Sequence, residues 1–459
     1  MNINWHTKDP TLQSLFEKRV EKIFSPLEIF IYRQTTAAIL LALAALLALI
    51  LANSPWNRLA ENIAAIEMGL VLHHWHVALS IREWISSGFM AMFFFLIGLE
   101  IKRETLAGKL RQPQQVSLIV LAAAGGMIFP ALIYWGINHS GPGEHGWAIP
   151  MATDTAFAIG VLALLAKRVS YGISIFLTAM AIFDDIGAIL VISIFYTDEL
   201  EAGPLLGAGV VLVLLFLINI MGVRRSWVYA LLGFVLWFFV HDSGIHATLA
   251  GLLLAVTIPA RTRLGEMGFI EEVRSLLLIF EKGRREHGGI LGSAKQHALA
   301  ADIGAAVKAA STPLQRWETL LIYPIGIIVL PLFALFNAGI SLSGEALAAA
   351  MSSPVTLGVM AGLVIGKPLG ISLMVLFALR LKVGKLPEGM TISEVVGVGM
   401  LGGIGFTMSL FITALSFDQP NLIDEAKTGI VFSSLISAIA ASAWIYFTHR
   451  ARQNITATE

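Results

Sequence analysis

Four charged residues stand inside apolar runs, where charge is costly. They are Asp154 in WAIPMATDTAFAIG, Asp184 and Asp185 in AMAIFDDIGAIL, and Lys367 in VIGKPLG. A charge near the centre of a membrane helix costs about 2.5–3.5 kcal/mol on insertion scales, so four left alone would cost on the order of 10 kcal/mol. That rivals the whole stability of a domain. They must pair with each other, with ions or with exposed helix ends. A purely stabilising buried salt bridge explains them poorly, because such pairs often only break even. Adjacent helical residues point about 100° apart. Asp184 and Asp185 therefore cannot face one partner: one can meet a positive charge on a neighbouring span while the other opens onto a cavity. Two carboxylates this close cannot both ionise freely, and a proton held by one can be exchanged for a metal cation. The remaining ligands, the hydroxyl of Thr153 and backbone carbonyls, are hard oxygens that favour small hard cations.

The elements that must position these groups are membrane helices. The chain has 459 residues, of which 56% are apolar and only 14% charged, against about 25% charged in a typical soluble protein. With no Cys, disulfides, thiolate zinc sites and Cys nucleophiles are excluded, and a net charge of zero gives no pull toward nucleic acid. Twelve windows are apolar enough to be spans. They run roughly 36–52, 84–99, 116–137, 147–166, 173–196, 204–221, 227–240, 245–258, 320–340, 355–379, 395–415 and 428–448. The seventh and eighth, parted only by HDSG, could form one hairpin. An all-α polytopic membrane protein is expected.

Two spans are interrupted. Span four carries Pro150 and the polar run Thr153-Asp154-Thr155, and span eleven reads GVGMLGGIGFTMSL, with Gly397, Gly399, Gly402, Gly403 and Gly405 at mid-depth. Non-helical backbone survives in a bilayer only where protein or a water-filled cavity satisfies it. Interruptions in corresponding places of two halves point to an inverted-repeat transporter with a midplane site. Half-helix N-termini carry partial positive charge and C-termini partial negative charge, so Asp154 is expected to neutralise the first and Lys367 the second. Whether Asp154 or Asp184 pairs with Lys367 stays open.

Lys and Arg set the orientation. Twenty-seven of the 31 fall on the side that holds both termini, which is therefore cytoplasmic. Residues 1–34 read as a cytoplasmic segment with a short amphipathic helix rather than a cleaved leader. Spans one to eight occupy 35–260, a cytoplasmic linker 261–316, spans nine to twelve 317–448, and a tail 449–459. Within the linker, FIEEVRSLLLIFEKG fits one amphipathic helix on the membrane surface.

With these residues assembled, the chain resembles the bacterial NhaA family of sodium/proton antiporters. The matching runs include FFFLIGLEIKRE, GGMIFPAL, GWAIPMATDTAFAIGVLALL, FLTAMAIFDDIGAIL, GIHATLAGLLLA, LPLFALFNAGISL, GLVIGKPLGISL and GIGFTMSLFI, in family order over nearly the whole chain. The resemblance implies a twelve-span fold in which spans 3–5 and 10–12 form the inverted repeat and spans four and eleven cross. It implies a transporter and no enzyme, in the bacterial inner membrane, which exports Na+ or Li+ for incoming protons, electrogenically and under pH control. No cofactor is implied. By resemblance Asp185 is the primary sodium ligand, Asp184 the proton-linked partner of Lys367, Asp154 the carboxylate of the crossing, and Thr153 an extra ligand. His246, Glu100, Arg103, Glu104 and Glu318 match positions tied to pH response. Glu318 is followed by TLLIYP, without the His found there in some members, which leaves the pH set-point open. His73, His74 and His76 lie in the loop after span one; a solvated loop fits them better than a metal site, and the resemblance implies a homodimer contact there. An intramembrane aspartyl protease is the rival class, but its GxGD context is missing. A passive cation channel would not need a buried Lys beside carboxylates.

Overall fold

The computed structural model describes residues 34–72, 75–107, 113–165, 171–197, 200–262, 264–284, 294–387 and 389–456. The expected cytoplasmic segment 1–34 lies outside them except for Gln34. Among the described residues, nine helices are long and apolar enough to cross a membrane, and a bent pair makes a tenth. The chain is an all-α polytopic membrane protein; twelve windows become ten spans by that measure, for a local reason given below.

Helix α1 (Gln34–Ala52) is followed by the short α2 (Asn57–Ala64). The loop expected after span one is instead an antiparallel hairpin of β1 (Glu67–Leu72) and β2 (Trp75–Ser80), with Leu72 opposite Trp75 and Val71 opposite His76. His73 and His74 lie outside the described residues. Met68, Leu70 and Leu72 recur at period two, as do Trp75, Val77 and Leu79, and a search for helical windows passes over that pattern.

Helix α3 (Met90–Ala107) continues a wide π turn at Trp84–Phe89, and α4 (Pro113–Asn138) follows. The fourth span is a 3-10 stretch, Glu144–Met151, then extended backbone, then α5 (Thr155–Leu164). After it come α6 (Tyr171–Phe195), α7 (Ala202–Ile220), α8 (Ser226–Asp242) and α9 (Leu249–Thr257). α8 and α9 are the seventh and eighth windows, and both are shorter than a span. Gly244, at φ 81°, turns the chain between them as a left-handed residue, so α9 starts well inside the molecule.

The linker holds two helices where one was expected, α10 (Glu266–Arg284) and α11 (Ala294–Ala310). The second, AKQHALAADIGAAVKAA, is Ala-rich; strong helix propensity forms it where hydropathy gives no signal. Span nine is α12 (Pro313–Pro324), a π stretch Ile325–Val329 and α13 (Leu330–Asn337). After α14 (Gly344–Ser352), span ten repeats that design with α15 (Pro354–Ala361), a π stretch Gly362–Gly366 and α16 (Lys367–Arg380). Both π stretches lead into a proline, Pro331 or Pro368, whose missing N–H and bulky ring a regular α turn would not accept. Span eleven is α17 (Ile392–Gly402) and α18 (Phe406–Ser416), bent by 47°, and α19 (Pro420–Thr456) closes the chain.

Spans three and ten pack backbone to backbone. A Cβ on Gly370 would strike the carbonyl of Gly125, and one on Gly125 the carbonyl of Gly370. Small residues let helices approach this closely in a membrane, where dispersion and packing rather than hydrophobicity hold them together. Gly370→Val should therefore force α16 off α4 and destabilise the protein by about 3 kcal/mol. Thermal unfolding in detergent reads this as a loss of several degrees; an unchanged melting temperature would mean that the contact carries no load.

Candidate functional site

The site is built where the two interrupted spans meet. Ala152 is extended and Asp154 is the N-cap of α5, so residues 152–154 are free of helix. Gly403 to Gly405 make the corresponding break between α17 and α18. The breaks touch: the Asp154 backbone N–H donates to the Ile404 carbonyl at 2.7 Å. The carboxylate of Asp154, 1% exposed, serves two helix ends at once. Its Oδ1 accepts from the Phe157 N–H of α5 at 2.9 Å, and its Oδ2 accepts from the Thr407 N–H at 3.0 Å and the Thr407 hydroxyl at 2.5 Å, at the start of α18. Each helix N-terminus presents roughly half a positive charge, so the pair offsets the carboxylate.

Asp154 thus neutralises half-helix N-termini, as the sequence suggested. Lys367 does not take the complementary role. Thr153 bonds the end of α17, its hydroxyl donating to the Gly402 carbonyl at 3.0 Å. The Lys367 ammonium, with 0% of its residue exposed, donates to Asp184 Oδ2 at 2.7 Å and to Thr153 Oγ1 at 2.8 Å. The alternative left open by the sequence falls to Asp184. Gly126 lies beside the lysine stem: a Cβ there would touch Lys367 Cδ at an ordinary 3.7 Å and crowd Ile371 at 3.0 Å.

The adjacent carboxylates behave differently, as their 100° offset requires. Asp184 is held by Lys367 through Oδ2, while its Oδ1 is buried with no hydrogen-bond partner among the described residues. Asp185 is 6% exposed and makes no hydrogen bond among them. The charges that act on it are Asp184, Glu100, Asp154 and Lys367. Three carboxylates and one ammonium share a region whose ordinary donors are spent, leaving oxygen lone pairs on Asp184 and Asp185. Such a region can hold a proton or a small cation. Among the described residues, no three or more of His, Asp and Glu cluster as a metal site.

A second polar group forms at the far end of span two. Arg103 forks between Glu318 of α12, which it pairs with closely, and Glu104, at 3.0 Å. Glu100 lies one turn nearer the centre, where both Glu318 and Asp185 act on it electrostatically. Four of the five residues matched to pH response therefore meet. His246 stands apart: its Nδ1 bonds the Thr248 hydroxyl at 2.7 Å, and its ring meets Phe411 edge-on at 5.1 Å.

Thr407 escaped the sequence reading although it sits in the glycine-rich run. The available signal was its place directly after the helix break, where a hydroxyl and a free N–H both face whatever crosses there.

The sequence profile described as Na+/H+ antiporter 1 matches residues 28–445. An Na(+)/H(+) antiporter NhaA 1 of Saccharophagus degradans is 41% identical, over 94% of this chain and 93% of its own. The antiporter NhaA of Sulfurimonas denitrificans is 43% identical, over 95% and 98%. That of Acidithiobacillus ferrooxidans is 44% identical, over 95% of this chain and 100% of its own.

Proposed function

The chain belongs to the Na+/H+ antiporter 1 family, and we propose that it exports Na+ or Li+ for protons electrogenically, opening one midplane site to each side in turn. It is a transporter and not an enzyme, and the ions are its substrates. One observation carries the reading. A fully buried lysine holds one of two adjacent aspartates, while the other has no hydrogen-bond partner among the described residues. In this scheme the cation binds Asp185 and the unpartnered Oδ1 of Asp184, displacing protons from the pair, more than one per ion for the exchange to be electrogenic. Thr153, whose hydroxyl already touches Lys367, completes the oxygen set. Asp154 keeps the two half-helices of the crossing together by capping both, so that they can move as a unit. Glu318, Arg103, Glu104 and Glu100 line the approach from one face and would tune access with pH, with His246 acting from the α8–α9 turn.

The positive-inside bias supports an inner-membrane protein with both termini cytoplasmic, twelve spans by counting α8 and α9, and spans 3–5 and 10–12 as inverted repeats. On the same reading 261–316 is a cytoplasmic linker and 449–459 a cytoplasmic tail. The β1–β2 hairpin, whose outer edges pair with no strand among the described residues, suits the homodimer contact.

One shared site has a direct consequence. Electrogenic exchange needs more than one proton per sodium ion, and if at least one of them must leave for sodium to bind, sodium affinity should fall at least about tenfold for each unit of pH below the point where the site protonates. Isothermal titration of the detergent-solubilised protein across pH reads this. An affinity indifferent to pH would count decisively against competition.

A further inference from the structure

A cavity whose lining includes none of the site's aspartates lies elsewhere in the molecule. It has a volume of about 520 Å3 and opens between the end of α1, the end of α13 and the start of α19. Since α1 ends at it and α19 begins at it, it sits on the face opposite the first and last described residues. Its inner wall is apolar, with Leu51, Leu335 and Phe336. Its rim carries four charges: Glu61, Arg82, Asp424 and Lys427.

These charges are not satisfied among themselves. Arg82 reaches Glu61 at 2.9 Å through one terminal nitrogen, but its Nε is buried without a hydrogen-bond partner among the described residues. Lys427, half-buried, forms no ion pair there, although Asp424 and Glu61 attract it and Arg82 repels it across the cavity. Glu61 and Asp424 also repel each other. Two unspent cationic sites and two acids face one space. A metal cation entering would meet Arg82 and Lys427, and a simple anion would meet Glu61 and Asp424. A ligand that carries both signs satisfies all four. On α1, whose Ala48, Leu51 and Ala52 line the cavity, Leu43, Leu46, Leu47 and Ile50 are about half exposed and recur at helical spacing, an apolar track along one face of the helix.

We propose that this cavity seats the headgroup of a zwitterionic phospholipid bearing a primary ammonium, a phosphatidylethanolamine. Its phosphate lies against Lys427 and Arg82, its ammonium donates to Glu61 and Asp424, and its acyl chains follow the α1 track. The primary ammonium matters, because only N–H groups can donate to two carboxylates; a quaternary choline cannot.

The full chain is reconstituted in vesicles of phosphatidylglycerol alone, or mixed with phosphatidylethanolamine or phosphatidylcholine, and its thermal unfolding and retained lipid are measured. Phosphatidylethanolamine should raise the melting temperature by about 4 °C over phosphatidylglycerol alone and be retained in native mass spectrometry. Phosphatidylcholine should do neither. Lys427→Gln should erase the increment; if that variant does not fold, Glu61→Gln and Asp424→Asn serve, each of which should erase it in part. Equal stabilisation by phosphatidylcholine, an increment that survives all three variants, or a highest melting temperature in phosphatidylglycerol alone would overturn the assignment. So would a Lys427→Gln variant that alters apparent sodium affinity equally with and without phosphatidylethanolamine, which would make the cavity an ion vestibule.

Discussion

Asp185→Asn should abolish sodium-dependent proton flux in everted membrane vesicles, while the protein inserts and unfolds at nearly the wild-type temperature. The substitution keeps the shape and removes both the charge and the exchangeable proton. No hydrogen bond among the described residues depends on the Asp185 carboxylate, so the fold loses no partner. The loss falls on ion binding. A carboxylate and a monovalent cation 4 Å apart attract by about 4 kcal/mol at the effective dielectric of such sites. That is nearly three powers of ten in occupancy, and closer contact adds to it. Flux undiminished by the substitution would refute the shared carboxylate site. Asp184→Asn also stops exchange on this scheme, but differs in stability, because it strips Lys367 of its counter-charge. The two adjacent aspartates should thus separate cleanly, one by flux alone and the other by flux and unfolding together.

That distinction shows what could and could not be read in the chain. The aspartates and Lys367 stood out because a charge in an apolar window is a local contrast, visible without knowing what lies opposite. The breaks in spans four and eleven were equally local, through Pro150 and the crowded glycines. Local spacing left the partner of Lys367 open and only the resemblance named it, because 183 positions separate it from Asp184 and the assembled helices must bring α16 to α6. The same holds for Thr153: its hydroxyl was expected as an ion ligand, and it also ties Lys367 to the carbonyl end of α17 across more than 200 positions. The β1–β2 hairpin was missed for another reason. Its alternation was present, but a bilayer-scaled window averages it away. The linker helix α11 owes its existence to propensity rather than pattern, and a hydropathy reading has no access to that.

Lys367→Met tests whether the buried pair holds the site together. Methionine replaces the lysine stem at similar length and can lie over Gly126 as the stem does. What it removes is the ammonium, leaving the Asp184 carboxylate, 2% exposed, with neither oxygen bonded among the described residues. Breaking one side of a buried ion pair costs about 3–5 kcal/mol, chiefly from the charge left behind. The variant should therefore unfold about 3–5 °C below the parent, taking roughly 1 °C for each kcal/mol in a chain of 459 residues. Adding Asp184→Asn removes the stranded charge, and the double variant should regain most of that loss although it makes fewer interactions than either parent pair. A double-mutant cycle read by thermal unfolding in detergent gives the coupling directly. If Lys367→Met alone is as stable as the parent, or the double variant is no better than the singles, Lys367 is not there to balance Asp184. Neither variant should exchange sodium for protons, because the pair that a sodium ion must compete against is gone. Stability recovered without transport would identify the ion pair as a cost the fold bears for its function rather than a source of its strength.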